Sequence, residues 1–388
     1  MPSRSTQSPP RATVSRRRLI AAPRSAAIAV AIGLATVLLA ACAQDSPSPS
    51  PSSVSPASPT ASSPTPTPAA PTPATPSPTA TQLGPEADLT GLAVADPVLA
   101  HRIPLAVMLD DSRAARPQSG FNAASIVYQA PADGYETRYL LLFQEGETES
   151  IGPVRSARFY LVQWSSEVQA AIAHYGGDRR TRTYIEAAPV PFTSVDGLGR
   201  GNPAYRRIKS RVAPHNAYTS TAKLRAVAMR LGAASDLPAD VHRRPFVEPS
   251  PVESRAASQR VTIPYRTNVI TYRYDRATNL YRRSVDGKAQ IDPADKARVT
   301  TTNIVVLFQK FRIDTKIEPG HSRPDITTLG SGEALVLREG RVVEATWRKD
   351  DDASPTLLLD AAGAEIPLVR GRTFIQVVPP RTKVVVGD

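Results

Sequence analysis

Cysteine is almost absent from this sequence, which has one, Cys42, among 388 residues. A single cysteine excludes a disulfide framework, a zinc module built from several cysteines and an iron–sulfur cluster. The sequence also lacks a G-x-S-x-G elbow, a G-x-x-x-x-G-K-S/T loop and an H-E-x-x-H helix, which excludes the enzyme classes that these motifs mark. Its five histidines are far apart without ligand-like spacing, so we predict neither a metal site nor a cofactor.

Acidic residues are missing from the first 41 residues, which hold six arginines and therefore half of the formal net charge of +12. A chain that begins at Cys42 would carry +6. Outside the membrane, the common polyanions are lipid headgroups, teichoic-type polymers and acidic glycans. The basic excess therefore does not predict nucleic acid as a partner.

The basic stretch is followed by an apolar run, Ala26 to Ala41. This run is shorter than the roughly 20 residues of a membrane span, and we interpret residues 1–41 as an export signal. The ending Leu39-Ala40-Ala41-Cys42 is typical of a bacterial lipobox, so we expect Cys42 to carry the lipid anchor of the mature protein. The alternative is a plain secretory signal, and the arginines at 16–18 leave the twin-arginine and general export routes both open.

Residues 42–84 have little to form a core with. From Asp45 to Thr81 the chain is almost entirely Pro, Ser, Thr and Ala, a composition that is typical of disordered tethers rich in polyproline II conformation. We therefore expect a membrane-attached protein whose folded part stands away from the lipid surface on a disordered linker.

The rest of the sequence divides into two segments of different texture. In residues 85–245, short apolar runs such as Ile103–Leu109 and Tyr139–Phe143 alternate with helix-favouring stretches at Ser156–Val168 and Thr219–Leu231, which predicts an α/β domain. In residues 255–388, β-branched runs are separated by turn-forming residues, which predicts a mostly β domain. The fold class expected overall is α+β.

Four arginines lie beside turn-forming residues of the first segment: Arg116, Arg138, Arg155 and Arg158. If they converge near a helix amino terminus, they could bind a phosphate or a carboxylate. The alternative is that they form ion pairs with Asp or Glu inside the domain. Ser156 is expected to cap the helix that follows it.

Three residues are candidates for catalysis: Asp110, His174 and His215. Asp110 and Asp111 close an apolar strand, where carboxylates can lie at the mouth of an α/β site or can cap a loop. His174 and His215 are each either a general base or a histidine hydrogen-bonded within the core.

Aromatic residues leave two interpretations open. Trp164 and Trp347 are either core residues or carbohydrate platforms, and the former is favoured. Tyrosines alternate with arginines between residues 265 and 283. On paired strands Tyr272 and Tyr274 would share one face and Arg273 the other, and we interpret the arginines as a solvated basic face, with contact to a wall polymer as the alternative.

The order of several motifs resembles the YerB-like family of bacterial lipoproteins. The most specific is Gly-Pro-Val-Arg-Ser-Ala-Arg at residues 152–158, and Arg-Pro-Gln-Ser-Gly at 116–120, His-Tyr-Gly-Gly at 174–177 and Pro-His-Asn at 214–216 accompany it. The resemblance covers about Leu99 to Pro379 and departs at Ser125, Gln129 and Asp133. It implies an α/β amino-terminal part, a β-rich carboxy-terminal part and no known reaction.

The Arg-rich turn is also similar, in residue types and order, to that of LytR-type enzymes, which attach anionic polymers to the cell wall. We therefore expect a lipid-anchored protein on the extracytoplasmic face of the membrane that binds an anionic wall polymer or a lipid-linked precursor. A phosphotransferase that acts on lipid-linked polymers with a divalent metal is one alternative. A module that docks an envelope enzyme is the other, and whether the protein is an enzyme stays open.

Overall fold

The computed structural model describes residues 84–187, 192–318 and 320–387. The predicted signal sequence, Cys42 and the linker up to residue 83 lie outside the described residues. Within those three ranges, we find no helix with the length and apolar character needed to cross a membrane.

Helices are few and short in the described residues: α1 (Pro97–His101), α2 (Phe159–Ser166), α3 (Arg179–Ala187) and α4 (Thr221–Arg230). Eight strands belong to the first segment: β1 (Leu105–Asp110), β2 (Ile126–Pro131), β3 (Thr137–Phe143), β4 (Ala171–His174), β5 (Ser194–Asp196), β6 (Arg206–Arg207), β7 (Ala217–Tyr218) and β8 (Phe246–Val247).

The second segment contains the strands β9 (Arg260–Pro264), β10 (Val269–Asp275), β11 (Leu280–Val285), β12 (Lys288–Ala289), β13 (Thr300–Thr301), β14 (Asn303–Phe308), β15 (Phe311–Glu318), β16 (His321–Ile326), β17 (Gly330–Arg338), β18 (Arg341–Lys349), β19 (Leu357–Leu359), β20 (Leu368–Val369), β21 (Thr373–Val378) and β22 (Val385–Gly387). Its described residues after 255 contain no α-helix.

Both segments contribute to one ten-stranded mixed sheet, in the order β19-β18-β17-β14-β21-β2-β3-β1-β4-β5. The segments meet where β2 pairs in parallel with β21, with Ile126 opposite Thr373. The pairs β14–β21, β1–β4 and β4–β5 are also parallel, and the other neighbours are antiparallel. The two sequence segments therefore share a backbone hydrogen-bond ladder.

The large sheet is buried on both faces. Alternate residues of β1 enter opposite clusters, with Leu105 and Val107 on one face and Ala106 and Met108 on the other, as the two-residue period of a strand requires. One face packs against α2, where Trp164 stacks on the ring of Tyr128 with centroids 4.9 Å apart. The opposite face packs against α4 and the second sheet.

The second sheet has six strands and comes mainly from residues 260–301. Its order is β12-β11-β10-β9-β22, and β13 pairs with β11. Tyr272 and Tyr274 face the core while Arg273 is exposed, as the strand alternation predicts. Three separate two-stranded pairs complete the described structure: β15–β16, β20–β8 and β6–β7.

Two expectations about individual residues are wrong. Ser156 does not cap α2, because the helix begins at Phe159 and its N-cap residue is Arg158. Arg283 is not part of a solvated face, because it is completely buried. It follows Tyr281 by two residues on β11 and therefore points to the same, inward face.

Candidate functional site

The carboxylate of Asp110 lies at the end of β1 and binds a histidine. Its side chain is 4% exposed, and its Oδ2 atom accepts a hydrogen bond from Nδ1 of His215 at 2.6 Å. Arg155 Nε lies 3.2 Å from the same oxygen, and the Ser112 amide donates to Oδ1 at 3.0 Å. Burial opposes ionisation, but the Ser112 amide, Arg155 and His215 together lower the pKa of Asp110.

The neighbouring carboxylate, Asp111, is buried, and each of its two oxygens accepts at least two hydrogen bonds. Oδ1 accepts from Arg116 Nε at 3.0 Å and from Gln118 Nε2 at 2.8 Å, and Oδ2 accepts from Gln129 Nε2 at 3.0 Å and from the Thr137 hydroxyl. With its oxygens occupied in this way, Asp111 holds the loop after β1 against β2 and β3.

A third carboxylate, Asp133, contacts three arginines. Arg158 donates to Oδ2 through Nε at 2.9 Å and through Nη2, Arg138 Nη2 lies 3.5 Å from Oδ2, and Arg323 Nη1 donates to Oδ1 at 2.9 Å. Burial alone would raise the pKa of Asp133, but Arg158 and Arg138 lower it to about 2. Burial and the charge of Arg158 in turn lower the pKa of Arg138 to about 10.

The four arginines singled out in the sequence therefore contact carboxylates in two groups. Arg116 and Arg155 lie by Asp111 and Asp110, whereas Arg138 and Arg158 share Asp133. The groups are adjacent because Asp110 on β1 is paired in register with Arg138 on β3.

His174 occupies a different place in the fold. It is buried at the end of β4, where Nδ1 lies 2.8 Å from the Gly176 carbonyl oxygen and Nε2 lies 2.8 Å from the Ser194 hydroxyl. Burial lowers its pKa, against the opposing charge of Asp196. Its contacts are those of a core histidine.

A cavity of about 680 Å³ opens beside Asp110 and His215, and we name it the Arg113 pocket. Its lining residues are Asp111, Ser112, Arg113, Ala114, Arg116, Glu136, His215, Arg266 and Thr267. A neighbouring cavity of about 540 Å³ shares Arg113 and Arg116 and also contains Lys288. The two cavities adjoin at Arg113 and Arg116, which line both of them.

Two exposed arginines of the Arg113 pocket have no carboxylate partner among the described residues. Arg113 follows Asp110 by three residues and forms no ion pair with a described residue. Arg266 stacks on the ring of Tyr135, with its guanidinium carbon 3.9 Å from the ring centroid. Guanidinium groups without an internal acid are available to bind an anion from solution.

The segment that carries His215 adds more unpaired positive charge. Residues 197–216 contain five basic side chains and no acidic one, and none of the five forms an ion pair with a described residue. One of them, Arg211, donates to the backbone carbonyls of Ala115 and Pro117. In the described part of the chain, no group of three or more His, Cys, Asp or Glu residues could hold a metal ion.

Family models match both segments of the chain. The amino-terminal domain described as a protein of unknown function (DUF3048) matches residues 89–234, and the carboxy-terminal domain of the same description matches residues 261–375. The chain belongs to the DUF3048 family. The predicted resemblance to YerB-like proteins is confirmed, because the Bacillus subtilis (strain 168) protein named "Putative lipoprotein YerB" is 30% identical over 298 residues, 76% of this chain and 86% of that protein.

The fold is shared with this relative. A crystal structure of the YerB protein from Bacillus subtilis matches with a TM-score of 0.69 at 28% identity, covering 78% of this chain and 99% of that one. The α+β class with a mixed sheet and few helices is therefore the fold of a solved DUF3048 protein.

Several residues of this DUF3048 site were not predicted. Glu136 lines the pocket, and its side chain forms neither a hydrogen bond nor an ion pair with a described residue. Arg113 begins a short 3-10 helix and was not singled out, whereas Arg266 belongs to the tyrosine–arginine alternation of residues 265–283. Asn268, which reaches Thr137 at 3.2 Å, comes from the second segment. The usable sequence signals were the proximity of Arg113 to the Asp110-Asp111 pair and the basic alternation that includes Arg266.

Proposed function

We propose that this DUF3048 protein is a lipoprotein anchored at Cys42 on the extracytoplasmic face of the cell membrane, and that its Arg113 pocket binds an anionic envelope component. The observation that carries the binding proposal is the difference between two sets of arginines. Arg138, Arg155 and Arg158 face internal carboxylates, whereas Arg113 and Arg266 line the pocket and form no ion pair with a described residue. The ligand is therefore held by Arg113 and Arg266 and oriented by Arg116.

As a ligand, discrete phosphate groups suit this site better than a surface with diffuse negative charge does. Guanidinium groups bind phosphate oxygens through two parallel hydrogen bonds, which gives geometric selectivity as well as charge. The adjoining cavity with Lys288 continues the basic lining. A repeating phosphodiester polymer, or the phosphate end of a lipid-linked precursor, has the negative charge that this basic lining would bind.

The binding proposal is tested by titrating a synthetic glycerol-phosphate trimer into the full chain at low salt. Changing Arg113→Gln together with Arg266→Gln should weaken binding at least about tenfold, because each removed guanidinium loses a charge-assisted hydrogen bond. The melting temperature should stay unchanged, since neither arginine has an internal acidic partner. Calorimetric titration and thermal unfolding give both readouts.

The matched control is Arg260→Gln with Arg273→Gln. These arginines are exposed and stand opposite each other on β9 and β10, outside the pocket. This double substitution removes as much positive charge as the pocket variant does. Because these charges are distant from the pocket and screened by salt, the affinity should stay within about twofold of wild type. Equal loss in both double variants would show diffuse attraction instead. Wild-type protein that binds no anionic probe but captures an envelope enzyme would favour the docking alternative.

The anchor is tested separately. The Cys42→Ala variant has no sulfur to accept a lipid, so we expect it to be released from membranes or to be processed to a different mass. Fractionation and intact-mass measurement of the mature protein check this. Membrane association with the same mature mass as wild type would contradict the assignment of Cys42.

A further inference from the structure

We propose that the Arg113 pocket is a hydrolytic site for phosphodiesters, with His215 as general base and Glu136 as general acid. The inference rests on the proposed anion-binding function of the same pocket and adds a reaction to it.

The geometry around His215 determines which ring nitrogen can take a proton. Nδ1 lies 2.6 Å from the buried Asp110 carboxylate and 3.2 Å from the Ser112 hydroxyl. A carboxylate accepts a hydrogen bond from Nδ1–H, so the neutral ring carries its lone pair on Nε2. Nε2 forms no hydrogen bond with a described residue, and His215 lines the pocket. The carboxylate also stabilises the imidazolium that forms when Nε2 accepts a proton.

Glu136 is the matching proton donor. Its carboxyl lines the same pocket and has no partner among the described residues. Partial burial, followed by the negative charges of Asp110 and Asp111, raises its pKa. The pKa of Asp110 is shifted in the opposite direction. The lowered pKa keeps Asp110 ionised beside His215, and the raised pKa favours the protonated form of Glu136 that a general acid needs.

The reaction needs only water besides the substrate. The phosphate lies between Arg113, Arg116 and Arg266, which stabilise the charge on its non-bridging oxygens. A water oxygen forms a bond to phosphorus as its proton passes to His215 Nε2. The phosphorus–oxygen bond to the leaving alcohol breaks, and Glu136 donates its proton to that oxygen. The proton on His215 then returns through solvent to the Glu136 carboxylate, which restores both groups.

The test uses two probes with different leaving groups, bis(para-nitrophenyl) phosphate and the glycerol-phosphate trimer, with the full chain. Wild-type protein should cleave both. His215→Gln should lower kcat about 100-fold or more for both, as loss of a general base does. Glu136→Gln should abolish cleavage of the trimer and spare the nitrophenyl ester, because nitrophenolate leaves without being protonated.

The controls are His321→Gln and Glu149→Gln, exposed residues outside the pocket, which should cleave at wild-type rates. If His215→Gln fails to fold, Glu136→Gln still tests the hydrolytic site. The Glu136 side chain forms no hydrogen bond or ion pair with a described residue, so we expect this variant to fold. Binding of the trimer without turnover of either probe would overturn the hydrolytic site and leave the binding function intact. Turnover that survives His215→Gln, or equal loss of both probes in Glu136→Gln, would also overturn it. Absence of binding would instead overturn the proposed function.

Discussion

Changing Asp133→Asn is expected to lower the free energy of unfolding by about 2 kcal/mol at neutral pH. The pKa of this carboxyl falls from 3.8 to about 2 in the folded protein, and each pKa unit corresponds to about 1.4 kcal/mol of stability. The neutral amide would leave Arg138 and Arg158 without the charge of Asp133, while Arg323 keeps its ion pair with Glu318. Urea unfolding of wild type and variant at pH 7 measures the difference.

The stabilising contribution of Asp133 should depend on pH. Because the folded-state pKa is depressed, the contribution of Asp133 is complete well above pH 3.8 and is lost as the pH falls through about 2. The stability difference between wild type and variant should therefore shrink over that range. The control is Asp350→Asn, which removes an exposed partner 3.5 Å from Arg348 and should cost less than about 1 kcal/mol. A difference that does not change with pH would contradict the ion-pair explanation.

Arg283→Ala is expected to have the largest effect on stability, about 3 to 5 kcal/mol, as truncation of a buried, hydrogen-bonded charged side chain does. Arg283 is completely buried on β11 and links the two sheets. Its Nη2 donates to Gln129 on β2 at 2.6 Å and to the Tyr139 hydroxyl on β3 at 3.1 Å, and Nε donates to Tyr272 at 3.1 Å. Truncation removes the donor to Gln129 Oε1 and to the Tyr139 hydroxyl and opens a cavity between the sheets, while the Tyr272 hydroxyl keeps its hydrogen bond from Gln376.

The neighbouring arginine of the same strand is the matched control. Arg282 is exposed and pairs only with Asp275 near the surface, so Arg282→Ala should change the free energy of unfolding by less than about 1 kcal/mol. Urea unfolding followed by tryptophan fluorescence checks both variants. Equal, small effects would contradict a role for Arg283 in joining the sheets.

The sequence predicted the local structure better than the pairing of its strands. The helix period of Leu224, Val227 and Ala228 predicted α4, and apolar runs predicted β1 and β3. The shared sheet was not predictable, because the β2–β21 pair joins residues almost 250 positions apart. Parallel pairing at such a distance leaves no turn signal in the sequence.

Part of the site followed from local signals and part did not. The end of an apolar strand marked Asp110 as a candidate site residue, and His215 was a separate candidate whose contact with Asp110 was not predicted. Which arginines face carboxylates depends on register, since Asp110 lies opposite Arg138 and Asp133 gathers arginines from distant strands. Arg283 was assigned to the wrong face, although its two-residue spacing from Tyr281 is an inward-facing pattern.

Hydrogen exchange of the full chain with and without the glycerol-phosphate trimer tests the central claim most directly, because it shows where an anionic ligand binds. We expect slower amide exchange in residues 111–116 and 211–216 and in the turn at 265–268, which contain all the lining residues of the Arg113 pocket except Glu136. The protection should be absent in the Arg113→Gln, Arg266→Gln double variant. Protection confined to the separate cavity around Phe308, Glu333 and Lys383, or spread over the whole basic surface, would contradict binding at the Arg113 pocket.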